Sequence, residues 1–317
     1  MQGCFLDAGS MGDGLVWSCL ESSVEDWRWY HNTTGETVVE RLQGVDIAVT
    51  NKVVLDADTI AAADRLKLIC VAATGFNNVD TAAAAAHGIP VVNVTGYATP
   101  AVSQHVLALM LAHATRWASY DAAVKRGDWA AGEFFCLLDY PIEELDGQTL
   151  GLVGHGELGQ AVARLAEAFG MQVLVAERPG ARSVRDGRVA IEDVLERADM
   201  ISLHCPLTED TRHLIDADAL ARMKDSAFLV NTARGAIVDS DALIQALRDG
   251  TIAGAALDVL DEEPPPADHP LTDATIPNLI VTPHSAWGSR GARQRMLEGV
   301  AANIDAFRNG ESRNRVN

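Results

Sequence analysis

Three ionisable residues stand just past apolar runs in the second half of the chain: Arg234 after Ala227–Val230, Glu263 after Ile252–Leu257, and His284 after Leu279–Thr282. In an open parallel α/β sheet the carboxyl ends of successive strands face one crevice, so the three are expected to converge. Their types suit one task. A guanidinium pairs bidentately with a carboxylate and does not deprotonate, so Arg234 can hold an anionic acid. An imidazole titrates in the working range, so His284 can give or take the proton of a carbonyl or hydroxyl oxygen. A carboxylate beside it, Glu263, fixes the ring and keeps it charged near neutrality. Taken singly, each has a plainer reading: a structural salt bridge, a cap for the turn at Pro264–Pro266, a surface histidine. At the ends of successive strands the joint reading is preferred.

The chemistry also needs a partner that the stretch from Gly151 to Glu177 is built to hold. An apolar run leads into Gly154, Gly156 and Gly159, spaced G-x-G-x-x-G with Glu157 and Leu158 between the last two. Val162, Leu165, Ala166 and Phe169 follow at helical spacing, and a second apolar run ends on Glu177. Strand, tight turn, helix, strand and acid in that order grip a dinucleotide. Gly154 allows the turn, Gly156 leaves room for the pyrophosphate, and Gly159 lets helix and strand approach. The helix N-terminus offers unpaired N–H groups to the phosphates. Glu177 is expected to accept hydrogen bonds from the ribose hydroxyls and to repel a 2′-phosphate, which favours NAD. Arg178, Arg182 and Arg185 nearby keep NADP as the alternative, and Glu157 brings a negative charge close to the pyrophosphate. Hydride then comes from a nicotinamide, so no protein nucleophile is required.

The elements that must position these residues are legible as strand–helix alternation. Residues 1 to about 96 carry apolar runs at Cys4–Leu6, Val45–Val49, Leu68–Val71 and Ile89–Val94, with helical patterns near Glu36–Leu42, Asp56–Ala63 and Asp80–His87. They hold no glycine fingerprint and read as a smaller, flavodoxin-like substrate domain. Thr74 and Gly75 follow its Leu68–Val71 run, where backbone N–H groups can nest a carboxylate; an ordinary connection with Asp80 capping the next helix is the plainer reading. A long helix is predicted from Thr99 or Pro100, apolar on most sides and suited to burial, within the chain or against a second subunit. Trp129, Phe134, Phe135 and Tyr140 then stud a stretch expected to form an exposed arm and a dimer contact. Beyond Glu177 the βα pattern continues to a last helix, Gly291 to Asn309. The fold class is α/β, with two Rossmann-like domains: the flavodoxin-like one and a doubly wound NAD-binding one.

At 317 residues and 48% hydrophobic, the chain has enough material for two cores. A net charge of −19 repels a phosphate backbone, so nucleic acid is not an expected partner. The five cysteines are scattered without C-x-x-C spacing, as in a reduced, cytoplasmic protein. No secretion signal or membrane span is read, and no metal site is expected.

The segments N-T-A-R-G, D-V-L-D-E-E-P, T-P-H-S-A-W, G-L-V-G-H-G-E-L-G, L-H-C-P-L-T and A-T-G-F-N-N-V-D resemble those of the NAD-dependent D-isomer-specific 2-hydroxyacid dehydrogenases, over nearly the whole chain. The resemblance implies that Arg234, Glu263 and His284 are the catalytic trio and that Thr74 and Gly75 hold the substrate carboxylate. It implies that Cys205, Thr232, Ala233 and Asp258 lie along the nicotinamide half. It also implies one domain of residues 1–97 plus 289–317, hinged onto residues 98–288 and closing over the bound pair. The S-Q-H-V-L-A-L-M-L run and Trp287, three residues after His284, are most similar to the glycerate dehydrogenase (hydroxypyruvate reductase) group, with Trp287 a candidate floor of the substrate pocket or a packing residue at the hinge. Gln104 departs from the Glu that many relatives carry there. Expected substrates are hydroxypyruvate with D-glycerate, or glyoxylate with glycolate. D-lactate or phosphoglycerate specificity, or a non-catalytic dinucleotide sensor on the same fold, are the alternatives.

Overall fold

In the computed structural model, which describes all 317 residues, the chain divides into two compact units, Met1–Ala98 with Trp287–Asn317, and Thr99–Ala286. The first unit is built on a five-stranded parallel sheet: β1 (Gln2–Phe5), β2 (Asp26–Trp29), β3 (Ile47–Thr50), β4 (Leu68–Val71) and β5 (Val91–Val92), in the order β2-β1-β3-β4-β5. Its helices are α1 (Ser18–Glu21), α2 (Val38–Leu42), α3 (Ala57–Ala62) and α4 (Thr81–Ala86). β3 and β4 are buried along their whole length, as strands covered on both faces must be. Asp56 and Asp80 cap α3 and α4 by accepting from Thr59 N and Ala83 N, both at 2.8 Å. β2 is the strand the sequence hid: D-W-R-W has the charge and exposure of an edge rather than the apolar run of a core strand. At the other edge the chain's end returns. Val92 bridges Arg315 antiparallel, Val316 N donates to Val91 O at 2.9 Å, and Asn317 Oδ1 accepts from Val91 N at 2.8 Å.

The second unit opens with α5 (Thr99–Thr115), α6 (Trp117–Arg126) and α7 (Asp128–Ala131). A six-stranded all-parallel sheet follows: β6 (Thr149–Val153), β7 (Gln172–Val175), β8 (Met200–Leu203), β9 (Phe228–Asn231), β10 (Gly254–Leu257) and β11 (Leu279–Val281). The connecting helices are α8 (Glu157–Ala168), α9 (Ile191–Arg197), α10 (Ala217–Arg222) and α11 (Ser240–Asp249). The strand order is β11-β10-β9-β8-β6-β7, so the winding reverses between β6 and β8. Such a reversal opens a crevice at the strands' carboxyl ends, where ligands bind in doubly wound folds. The buried α5 packs on α8 and β9 of its own unit, and His113 on it stacks on Phe228 with ring centroids 4.0 Å apart. Burial in that stack pushes the His113 pKa down to about 4. The last helix, α12 (Arg290–Arg308), belongs to the first unit and packs on β4 and α1.

Both sheets are parallel with helical crossovers, the α/β class expected from the sequence. No helix is long and apolar enough to cross a membrane.

Candidate active site

The glycine loop follows β6 at the reversal point. Gly154 adopts φ +100°, and a Cβ there would meet Cys205 N at 2.6 Å, so the loop lies directly on the end of β8. Gly159 is held as tightly: its Cβ would stand 2.3 Å from Gly154 O. Gly156 differs. A Cβ there would meet nothing within 4 Å, leaving open space in front of the N-terminus of α8. Leu158 is half-buried on the first turn of that helix. These features suit a pyrophosphate, which needs close backbone approach and the positive end of a helix of this length. A further sign lies at the end of β9, where the Thr232 Oγ1 is buried without any hydrogen-bond partner. A buried orphan hydroxyl calls for a ligand or solvent atom to complete it, and Thr232 is one of the residues that the resemblance sets along the nicotinamide half. Burial pushes the Cys205 thiol up to about 11, so it is a small apolar wall and not a nucleophile.

Two acidic residues behave otherwise than their sequence positions suggest. Glu157 Oε1 accepts from Thr99 Oγ1 at 2.8 Å, which ties the carboxylate to the start of α5. Glu177 is buried, at 6% exposure, and both its oxygens are engaged. They accept from Arg178 N at 2.7 Å, Arg185 N at 3.0 Å and Arg185 Nε at 2.8 Å, with Arg185 Nη2 closing a bidentate pair. The Arg185 guanidinium, with the Arg178 and Arg185 amides, holds this carboxyl well below the usual carboxylate range. The expected ribose acceptor is therefore already occupied by an arginine eight residues further on.

The three strand-end loops interlock. After β9, Asn231 braces the turn by accepting from Ala233 N at 3.0 Å and donating to Arg234 O at 2.8 Å. The Arg234 guanidinium donates to Ala233 O at 2.7 Å and forms no ion pair. Gly235 lies so close to the next loop that its Cβ would fall 1.9 Å from Leu260 C, so no larger residue fits. That loop follows β10 and carries Glu263, whose Oε1 accepts from Leu260 N at 2.9 Å. Its Oε2 meets His284 Nδ1 at 2.6 Å, and the two side chains are 32% and 31% exposed. His284 in turn follows β11 with φ +49°, a left-handed conformation that a non-glycine residue holds only when its surroundings impose it. Its N–H donates to Asp258 O at 2.8 Å and Thr282 O at 2.9 Å.

Asp258 explains how that turn is held. Its side chain is 1% exposed, and its carboxylate accepts from Thr282 Oγ1 at 2.5 Å, Ser285 N at 2.9 Å and Ala286 N at 2.9 Å. The resemblance implies a place along the nicotinamide half; in the fold its carboxylate oxygens hold the 282–286 turn. His105 on α5 joins the same cluster through Nε2, 3.1 Å from Thr282 Oγ1. In the sequence it stood only within the S-Q-H-V-L-A-L-M-L run, with no role attached, since a lone histidine on an apolar helix reads as core.

In the first unit, Thr74 and Gly75 follow β4. Thr74 Oγ1 donates to Val94 O at 3.0 Å and Thr74 O accepts from Asn93 Nδ2 at 2.7 Å, so the turn is anchored from the next strand's end. Trp287 is half-buried and meets Tyr97 edge-on at 6.5 Å. No group of three or more His, Cys, Asp or Glu is arranged to hold a metal.

Residues 107–286 match the family model of the D-isomer specific 2-hydroxyacid dehydrogenase NAD binding domain. The chain is 48% identical over 292 residues to a glycerate dehydrogenase of Methylorubrum extorquens, covering 92% of each chain. It is 38% identical over 291 residues to a glyoxylate reductase of Korarchaeum cryptofilum, covering 90% of this chain and 86% of that one. Among solved structures it is similar to the TT0316 protein of Thermus thermophilus, with a TM-score of 0.87 at 35% identity and full coverage of both chains. A crevice with a glycine cradle, an orphan hydroxyl and an imidazole–carboxylate pair thus sits on a chain with these likenesses, and the chain belongs to the NAD-dependent D-isomer-specific 2-hydroxyacid dehydrogenase family.

Proposed function

We propose that this dehydrogenase interconverts hydroxypyruvate and D-glycerate, with glyoxylate and glycolate as a second pair, using Arg234, Glu263 and His284 as its catalytic residues. The observation that carries the reading is the 2.6 Å contact between His284 Nδ1 and Glu263 Oε2, set at the ends of adjacent parallel strands beside the Arg234 turn. The relative named glycerate dehydrogenase supports the first pair and the one named glyoxylate reductase the second.

Each residue's part follows from its donors and acceptors. Arg234, free of any carboxylate of the chain, binds that of the 2-keto acid. Glu263 accepts the Nδ1 proton of His284, which makes Nε2 the nitrogen that exchanges a proton with substrate. Bound NAD(H) supplies or accepts the hydride at C2. In reduction His284 Nε2 gives its proton to the carbonyl oxygen; in oxidation it takes the hydroxyl proton back. Glu263 stays ionised and fixes the ring through both steps. Thr74 and Gly75, at the carboxyl end of β4, are assigned to the substrate carboxylate, in a substrate domain made of the first unit. Trp287 is assigned to the wall of the substrate pocket.

The protein is read as a cytoplasmic homodimer. Support for the dimer comes from the arm after α7, where Phe134 and Phe135 are 75% and 90% exposed yet the backbone is tied by Trp129 Nε1 to Phe135 O at 3.0 Å. An ordered apolar patch suits a second copy of the chain. All five cysteines are free, which suits a reducing compartment.

The test is steady-state reduction of hydroxypyruvate, glyoxylate and pyruvate with NADH, repeated with His284→Ala. The variant is expected to keep NADH affinity and lose about 10²–10⁴-fold in kcat. Undiminished turnover removes His284 from the mechanism, and a preference for pyruvate overturns the substrate assignment.

A further inference from the structure

We infer that His105, on α5, is a positioning residue for the reaction: it drives a one-way hydrogen-bond chain, His105 to Thr282 to Asp258, that sets the turn carrying His284. The inference rests on the reading of His284 as the proton carrier, but its geometry stands apart from that reading.

The direction of the chain follows from counting protons. Asp258 as a carboxylate can only accept, and Thr282 Oγ1 lies 2.5 Å from its Oδ1, so the single hydroxyl proton of Thr282 is spent there. Thr282 Oγ1 is then left with lone pairs alone. His105 Nε2, 3.1 Å away, must therefore be the donor, which fixes this imidazole with its proton on Nε2. The donated proton in turn keeps the Thr282 rotor from swinging to another acceptor.

What the chain controls is the 282–286 turn. Asp258 is buried at 1% exposure and makes no ion pair with lysine or arginine; the nearest basic atom is His105 Nε2, 3.7 Å from Oδ1. Its carboxylate is satisfied by Thr282, Ser285 N and Ala286 N, and its own carbonyl accepts from His284 N. Those bonds impose the left-handed φ of +49° on His284. Removing the donor at the head of the chain frees the Thr282 hydroxyl, deprives a buried carboxylate of a fixed partner and loosens the turn. The imidazole of His284 then samples orientations that Glu263 alone cannot correct. A purely packing role for His105 predicts none of this.

The experiment compares His105→Leu, which fills the space without a donor, with His105→Gln, whose amide can donate. Hydrogen exchange of the 282–286 peptide is followed in the protein without cofactor, alongside kcat, KM for the keto acid and NADH affinity. The leucine variant is expected to exchange at least about tenfold faster at Ser285 and Ala286 and to lose about tenfold in kcat, with NADH affinity within about twofold. Glutamine is expected to restore both to within about threefold. Thr282→Val cuts the same chain at its middle link, so its effect and that of His105→Leu should not add. Unchanged exchange in His105→Leu, a glutamine variant as impaired as leucine, or additive losses in the double variant would each overturn the proposal. Should the leucine variant not fold, unchanged exchange in Thr282→Val does the same. Loss of turnover in His284→Ala is a separate measurement, so failure of the catalytic reading is distinguishable from failure of this one.

Discussion

Glu177, two residues past β7, has both carboxylate oxygens taken, two backbone amides and one guanidinium filling the places where ribose hydroxyls were expected. If Glu177 is the ribose acceptor, Arg185 competes with the ribose for it. Removing the competitor frees Glu177 for the hydroxyls and leaves its charge unscreened against a 2′-phosphate. For Arg185→Ala, the ratio of NADPH to NADH dissociation constants is expected to rise about tenfold, read by tryptophan fluorescence in the absence of substrate. An unaltered ratio would show that the pair has no part in cofactor choice. Glu263→Gln tests the other short contact. The amide keeps the shape but cannot hold the imidazole as a carboxylate does, so kcat should fall by about 10²-fold while KM for NADH stays. At this scale the sequence was informative about residue types and about the pairing of Glu263 with His284, and silent about the other contacts. Arg234, Glu263 and His284 were visible because strand ends are where such groups gather. The pairing of Glu177 with Arg185 was not, since eight residues of irregular chain can turn either way, and the role of His105 was hidden because its partners lie more than 150 residues on, at Asp258 and Thr282.

The glycine loop shows how an element divides its work among residues of one type. Gly154 and Gly159 are pressed against backbone, whereas Gly156 faces open space. Substitution should separate the two roles. Gly156→Val is expected to leave the melting temperature within about 2 °C of the parent and to weaken NADH binding by about tenfold or more. Gly159→Ala must displace the Gly154 carbonyl, so it is expected to lower stability by about 1–3 kcal/mol, with cofactor binding lost as a consequence. Calorimetry with and without NADH distinguishes them. The spacing of the motif announced the element correctly, and the apolar runs announced most strands. What it could not give were edges: β2 carries the polar, aromatic alternation of a strand with one free side, and periodicity tuned to buried runs passes over it.

For the whole molecule, half-buried histidines tie stability to pH. Burial pushes His113 and His204 down to about 4, so both are neutral in the fold and take up protons on unfolding. Between about 4 and 6.5 the unfolded chain binds more protons than the folded one, so stability is complete above that window and is lost as pH falls through it. The urea midpoint should drop between pH 6.5 and 4.5. His113→Phe, which keeps the ring against Phe228, should flatten part of that slope, worth on the order of 2 kcal/mol. A variant as pH-sensitive as the parent would assign the slope to other groups. The exposed arm belongs to this scale too: replacing Phe134 and Phe135 by serine is expected to shift the protein to monomer in light scattering, with the melting of the monomer unaltered.

One consequence concerns handling the protein. Residues 315–317 lie against the outer strand β5 and satisfy backbone groups that would otherwise stand open along that border. Clipping these residues, or prying them away with a bulky fusion, would uncover a short adhesive rim able to recruit other chains.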